Sequence, residues 1–432
     1  MHEALVERPC SRIRRLAGGR AQEVRFTRFL RNPSVSAREM ARHAAQATAG
    51  RVVDRDIVVV QDTSELALGG KRARANGYGP VGKGGGLGGL LLHAALALEA
   101  QTGALLGLAH AEIWNRDEGE KVKPRRGRDT ADKESQRWLD ATAFSGEVLA
   151  RASRITVVSD RESDIYEHFA QRPQNVELIV RACQNRRIDG GGADGSAYLF
   201  AFVDGLPEAG RFLAKIPAAP GRKEREAELA VRFSPVKLRK PQHGASGLPD
   251  TVALTLVDVH EVQTPKDSEP IHWRLLTTHA VTSLGEARRI VELYRMRWTI
   301  EEFFRTLKTA GFDIENADIG DPEVMINFVA AATVAAVTVM QLVKARDGAT
   351  DQLLTDAFEA EDRRLLEAVS AKLEGATLRQ KNPHPQGSLA FAAWVIARLG
   401  GWTGYYGKPG PKVMRQGLDD FQRIKLGVTL GL

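Results

Sequence analysis

Residues 56–62, DIVVVQD, and residues 153–160, SRITVVSD, share one design: a run rich in β-branched residues that closes on an aspartate. Such short apolar runs read as buried strands, as in a parallel sheet. Each sets a carboxylate, Asp62 or Asp160, at its C-terminal end. Open α/β sheets place ligand sites outside the carboxyl ends of their strands. A strand-end Asp is also a common turn former or cap, so either residue alone is ambiguous. In SDRESDIYEHF (159–169), Ser163 or Asp164 is placed to cap a helix expected over 164–172. That leaves Asp160 without a local structural role.

A third carboxylate comes from YRMRWTIEEFFRTLK, residues 294–308. At about 100° per residue, Tyr294, Arg297, Glu301 and Lys308 fall within roughly 60° of helical arc. Leu293, Met296, Ile300, Phe303, Phe304 and Leu307 take an adjoining arc, the side that faces a core. One helix over about 284–310 thus carries three phosphate-gripping groups around one carboxylate. Carboxylates on two strands and one helix can converge on two divalent cations, and hard oxygen ligands suit Mg²⁺ or Mn²⁺. Such a pair serves in-line phosphoryl displacement, activating the attacking oxygen and stabilising the leaving one. The row of Tyr, Arg and Lys would then lay a nucleic-acid strand across the carboxylates.

Composition agrees with a polyanionic partner. The 432 residues carry 61 Lys and Arg against 54 Asp and Glu, net +7, with pI near 9.4. Two cysteines, Cys10 and Cys183, exclude a disulfide framework and a cysteine zinc site, and fit a reducing cytoplasm. The ten histidines show no ligand spacing. NGYGPVGKGGGLGG (76–89) holds Gly77, Gly82 and Lys83 at P-loop spacing, but Gly84 stands where Ser or Thr is required and a strand-like run follows. Nucleotide binding is rejected. INFVAAATVAAVTVMQLV (326–343) is uncharged, yet its Asn327, Thr333, Thr338 and Gln341 mark a buried helix, and no membrane span is expected.

Along the chain, VRFTRFLRNPSVSAREM (24–40) predicts a helix ending before Pro33 and a second capped at Ser34 or Ser36. LLLHAALALEA and GALLGLAHAEIW predict a hairpin, KVKPRRGRD (121–129) a charged loop, residues 131–150 a helix and VELIVRA (176–182) a strand. Short alternating runs with prolines 207, 217, 220, 235, 241 and 249 make residues 186–279 β-rich. From about 321 onward the chain reads as helical.

These residues resemble one group of bacterial DDE cut-and-paste transposases of insertion sequences. Its signature Tyr-x2-Arg-x3-Glu-x6-Lys matches Tyr294, Arg297, Glu301 and Lys308. QDTSEL around Asp62, DRESD at 160–164, FLRNPSVS at 29–36 and SLAFAAWVIARLGG at 388–401 follow in the same order. The resemblance implies an α/β fold with a ribonuclease-H-like core interrupted by a β-rich insertion. It implies a helical N-terminal DNA-binding arm over 1–50, the core over 51–185 and 280–320, the insertion over 186–279, and a helical dimerisation domain over 321–432. It assigns catalysis and two Mg²⁺ or Mn²⁺ ions to Asp62, Asp160 and Glu301. Tyr294, Arg297, Lys308 and Arg181 are expected to contact DNA phosphates, and Trp273 in IHWRLLTTH to stack on a flipped base. The partners implied are double-stranded DNA, as element ends and target, and a second copy of the chain. Fewer residues precede Asn32 than the family's N-terminal region has, which makes the arm a shortened one. Two other readings stay open: a ribonuclease-H-like nuclease that only hydrolyses DNA, and a shortened inactive protein that binds DNA or partners as an inhibitor.

Overall fold

The structure is a computed structural model and describes residues 1–7, 9–69, 71–116, 134–190, 196–216, 224–242, 246–265, 269–405 and 407–430. The charged loop expected at 121–129 lies outside them. Among the described residues the strands are β1 (Asp56–Ala67), β2 (Gly79–Val81), β3 (Leu87–Glu99), β4 (Leu105–Trp114), β5 (Arg154–Ser159), β6 (Val176–Arg181), β7 (Arg187–Asp189), β8 (Ser196–Tyr198), β9 (Gly210–Ile216), β10 (Arg225–Arg239), β11 (Thr251–Glu261) and β12 (His272–Thr277). They form one sheet in the order β2-β3-β1-β5-β6-β12-β11-β10-β7-β8, with β4 also on β3 and β9 also on β10. The fold is mixed α/β. β1, β5 and β6 run parallel, while β3 is antiparallel to β1 and β4 to β3. The β-rich residues after 186 make no sheet of their own. β12 pairs directly with β6, from Leu275–Arg181 to Thr277–Ile179.

Alternation along β1 explains why its valine run is buried on both sides. Val58 and Val60 face a core shared with the helices Leu284–Arg295, Pro322–Ala345 and Leu389–Leu399. Ile57 and Val59 face a second core with Tyr166 and Phe169. All four β1 side chains are fully buried, each worth roughly 1.5–3 kcal/mol relative to exposure. The helix Pro322–Ala345 contains the apolar run expected over 326–343, and 83% of its most apolar window lies inside the fold. Asp321 caps it, accepting from Glu323 and Val324 N–H, and Pro322 occupies the first turn, where a missing N–H costs nothing. Near the N-terminus the helix Arg20–Leu30 ends before Pro33, and Ser36 caps Ala37–Ala49 through Glu39 N–H.

The single helix expected over 284–310 is in fact broken. Leu284–Arg295 opens with a capping box between Ser283 and Glu286. Met296 and Arg297 then form a tight turn whose N–H groups bond three residues back, to Leu293 and Tyr294. A second helix, Trp298–Arg305, passes into a π turn over Thr306–Ala310. Tightening to about three residues per turn stacks Tyr294 above Arg297, whereas the wider π turn rotates Lys308 away from them.

The C-terminal helices Leu389–Leu399 and Pro411–Thr429 cross at glycines. A methyl group on Gly417 would lie 1.7 Å from the Ile396 carbonyl oxygen, and one on Gly400 would lie 2.1 Å from that of Val413. Backbone is in contact with backbone, so no side chain can move aside. Gly417→Ala should therefore destabilise the protein by about 1–3 kcal/mol in urea unfolding. A loss of only a few tenths would mean the helices do not cross so closely.

Candidate active site

β1 and β5 place Asp62 and Asp160 side by side. Their register pairs Val60 with Val158, so two residues further on the aspartates stand level at the ends of neighbouring strands, whose spacing is about 4.8 Å. Period-two alternation turns both to the face of Val58, Val60 and Val158. Arg181, at the end of β6, and Trp273, on β12, take the same face by the same alternation. Leu275 pairs with Arg181, which bonds the His272 carbonyl at 3.1 Å.

The two aspartates share a local geometry as well. Asp62 Oδ1 accepts from Thr63 N–H and Asp160 Oδ1 from Arg161 N–H, each at 2.7 Å. Asp160 thus has a local structural role after all, because it caps the short turn Arg161–Ser163. Asp164, expected as a helix cap, does something else. It is buried and accepts from Cys183 and Gln184 N–H and from Arg186. The following helix is Tyr166–Ala170, with no side-chain cap.

Above this face the broken helix delivers Tyr294, Arg297 and Glu301. Arg297 is mostly buried, with 13% of its side chain exposed, and bonds Glu301 and, at 3.4 Å, Asp62. Burial works against its charge, but Tyr294, Asp160 and Glu301 outweigh it and hold the guanidinium firmly protonated. Asp62 feels the same setting from the other side. Burial pushes its carboxyl up to about 6; Thr63 N–H and Arg297 pull it down, and Asp160 and Glu162 push it further up. Tyr294 is buried, and its hydroxyl has no well-directed hydrogen bond among the described residues. Burial raises its pKa, with Arg297 and Arg181 opposing and Asp160 reinforcing. Trp273 is half-buried and meets the Tyr294 ring edge-on, 5.6 Å between centroids.

The structure therefore brings together Asp62, Asp160, Glu301, Arg297, Tyr294, Arg181 and Trp273. Lys308 stands apart. It lies 3.6 Å from Glu315, which accepts from Ala67 N–H, five residues beyond Asp62 on β1. Trp298, not singled out in the sequence, has 42% of its surface exposed beside Arg297. Its position on the polar side of the turn was legible only once the turn was known.

The donor chemistry fits a hard divalent cation: three carboxylates, with a guanidinium supplying positive charge among them. Yet among the described residues no group of three or more His, Cys, Asp or Glu is placed to hold a metal ion. Arg297 lies between two of the three carboxylates, 3.4 Å from Asp62 and bonded to Glu301.

A family model described as the transposase DDE domain matches residues 111–337, more than half of the chain. The match spans Asp160, Arg181, Trp273, Tyr294, Arg297, Glu301 and Lys308, and begins beyond Asp62.

The raised Asp62 pKa has a measurable sign. A carboxyl with a higher pKa folded than unfolded takes up a proton on folding. Its ionised form thus costs stability fully above about pH 6 and not at all below about pH 4. In metal-free buffer Asp62→Asn should be more stable than the parent at pH 7.5, by up to ~3 kcal/mol, with no gain at about pH 4. An equal difference at both pH values in urea unfolding would show that ionising Asp62 carries no penalty.

Proposed function

The chain belongs to the transposase DDE domain family, and from that premise we propose that it is a metal-dependent cut-and-paste DNA transposase of the Tyr-Arg-Glu-Lys group. The observation that carries this reading is the meeting of Asp62, Asp160, Glu301 and Arg297 on one sheet face. The strand order β4-β3-β1-β5-β6, with β3 and β4 antiparallel and β5 and β6 parallel to β1, supports a ribonuclease-H-like core. Strands β7 to β12 correspond to its β-rich insertion, residues 1–50 to a DNA-binding arm and residues 321–432 to a dimerisation domain.

Each step of the reaction is an in-line attack on a phosphodiester. Water nicks one strand at the element end, and the freed 3′-OH attacks the opposite strand to form a hairpin. Water opens the hairpin, and the 3′-OH then attacks target DNA. Asp62, Asp160 and Glu301 would hold two Mg²⁺ or Mn²⁺ ions, which supply activation of the attacking oxygen and stabilisation of the leaving one. Arg297, Arg181 and Tyr294 grip phosphates along the same strand, and Lys308 extends that grip toward the end of β1. Trp273 stacks on a base flipped out as the hairpin forms. Two cysteines far apart in the chain, Cys10 and Cys183, suit a cytoplasmic protein acting on bacterial DNA, with a second copy bound across the paired ends.

The test is DNA carrying the element's own ends, incubated with Mg²⁺ and resolved on denaturing gels. Asp160→Asn and Glu301→Gln should reduce cleavage to background while DNA binding persists; retained cleavage in either would overturn the assignment. Trp273→Ala should leave first-strand nicking near the parent rate. It should slow hairpin formation about five- to a hundredfold, from a stacking loss of roughly 1–3 kcal/mol. Nicks without any hairpin from the parent chain would identify a purely hydrolytic nuclease.

A further inference from the structure

On the sheet face turned away from Arg297 lies a group of polar side chains that the reaction does not use. Gln61, Thr63 and Ser159 alternate with Asp62 and Asp160, so they point to that opposite face. There they meet His93 of β3, Arg137 and Thr142 of the helix Gln136–Val148, and His168 of Tyr166–Ala170. Gln61, His93, Thr142, Ser159 and His168 are buried.

Their hydrogen bonds form a ring. Arg137 Nε donates to Thr63 Oγ1 at 2.7 Å, and the same hydroxyl lies 2.9 Å from His93 Nδ1. His93 Nε2 lies 3.2 Å from Gln61 Oε1. Gln61 Nε2 donates to Thr142 Oγ1 at 3.1 Å and to Ser159 Oγ at 3.4 Å. Thr142 Oγ1 lies 2.8 Å from His168 Nε2, and His168 Nδ1 lies 3.3 Å from the Ser163 carbonyl. Arg137 Nη2 closes the ring on Glu162 at 2.9 Å.

Chemistry fixes the direction. A guanidinium only donates, so the Thr63 hydroxyl gives its proton to His93 Nδ1, leaving His93 Nε2–H for Gln61 Oε1. The Ser163 carbonyl only accepts, so His168 carries its proton on Nδ1. Thr142 then gives its proton to His168 Nε2 in preference to the Trp138 carbonyl, 2.8 Å away. Both imidazoles are neutral, as burial dictates: it lowers His93 well below the ordinary value and His168 to about 4.

The ring fastens the residue after Asp62 to the turn after Asp160 at two points, Glu162 and Ser163. We infer that Arg137 is a positioning residue that, through Thr63 and Glu162, sets the spacing of Asp62 and Asp160 and thereby the affinity of the pair for a divalent cation. This rests on the reading of those carboxylates as metal-holding. Two like charges side by side repel unless held, and loss of partners that orient metal ligands typically costs ten- to a hundredfold in metal affinity.

The experiment titrates Mn²⁺ alone into the full chain, without DNA, and follows free Mn²⁺ by electron paramagnetic resonance. The parent should bind, and an Asp62→Asn, Asp160→Asn double variant should not. Arg137→Gln should bind about ten- to a hundredfold more weakly, and Arg137→Lys should recover part of the loss, since an ammonium still bridges as a charge. Thr63→Val, nearly isosteric, should weaken binding in the same direction and decides the matter if Arg137→Gln does not fold. Melting temperature, read alongside, should not account for the change in affinity. Mn²⁺ affinity within twofold of the parent in folded Arg137→Gln or in Thr63→Val overturns the inference, whatever the stability. If the double variant binds as the parent does, it is the metal-holding reading itself that fails, a distinct result.

Discussion

The positive charge of Arg297 is the constraint around which this site is arranged. Parallel pairing of β1 and β5 sets two aspartates beside one another at the sheet end, and burial makes the ionisation of Asp62 costly. Arg297 enters that space from above and pairs with Asp62 and with Glu301 on its own helix. It can do so because Ile300, Phe303 and Phe304, from the same helical segment, are buried in the core. Hydrophobic packing thus holds the cation against the sheet, and the cation in turn tolerates the carboxylates.

The two faces of the sheet end divide the work. One face presents charged groups, with Arg297 set among Asp62, Asp160 and Glu301. The other presents the neutral side chains Gln61, Thr63, His93, Thr142 and His168, hydrogen-bonded to one another and to the guanidinium of Arg137. Buried polar groups are costly when any partner is missing and rigid when none is. A hydrogen-bonded ring on one face is therefore a stiff mounting for the carboxylates on the other. Alternation along a strand accomplishes this with adjacent residues, Gln61 and Thr63 on one side and Asp62 on the other.

The break in the signature helix has a comparable logic. A tight turn at Met296–Arg297 places Tyr294 and Arg297 on one line over the aspartates, and the π turn sends Lys308 along β1 instead. Tyr294, Arg297 and Lys308 are thereby spread along the sheet end and not gathered at one point. The Lys308–Glu315 pair is partly exposed, and such pairs contribute little.

Much of the site was legible in the sequence because its cues are local. DIVVVQD and SRITVVSD state their strands and the position of each aspartate through residue type alone. The spacing of Tyr294, Arg297 and Glu301 states that these groups share a side, whereas the π turn that takes Lys308 away from them carried no local cue. Local pattern could not supply the distances between segments. That Arg297 stands between Asp62 and Glu301 and that Asp164 serves Arg186 depend on how remote elements dock. So does the ring through Arg137, His93 and His168, whose members lie up to 107 residues apart in the chain and carry no common motif. The sequence by itself determined which residue types reach the ends of the strands, since side-chain chemistry and periodicity are properties of neighbours. Only the tertiary structure decided which charges neutralise one another, because Coulombic and hydrogen-bond energies depend on distances that chain order does not contain.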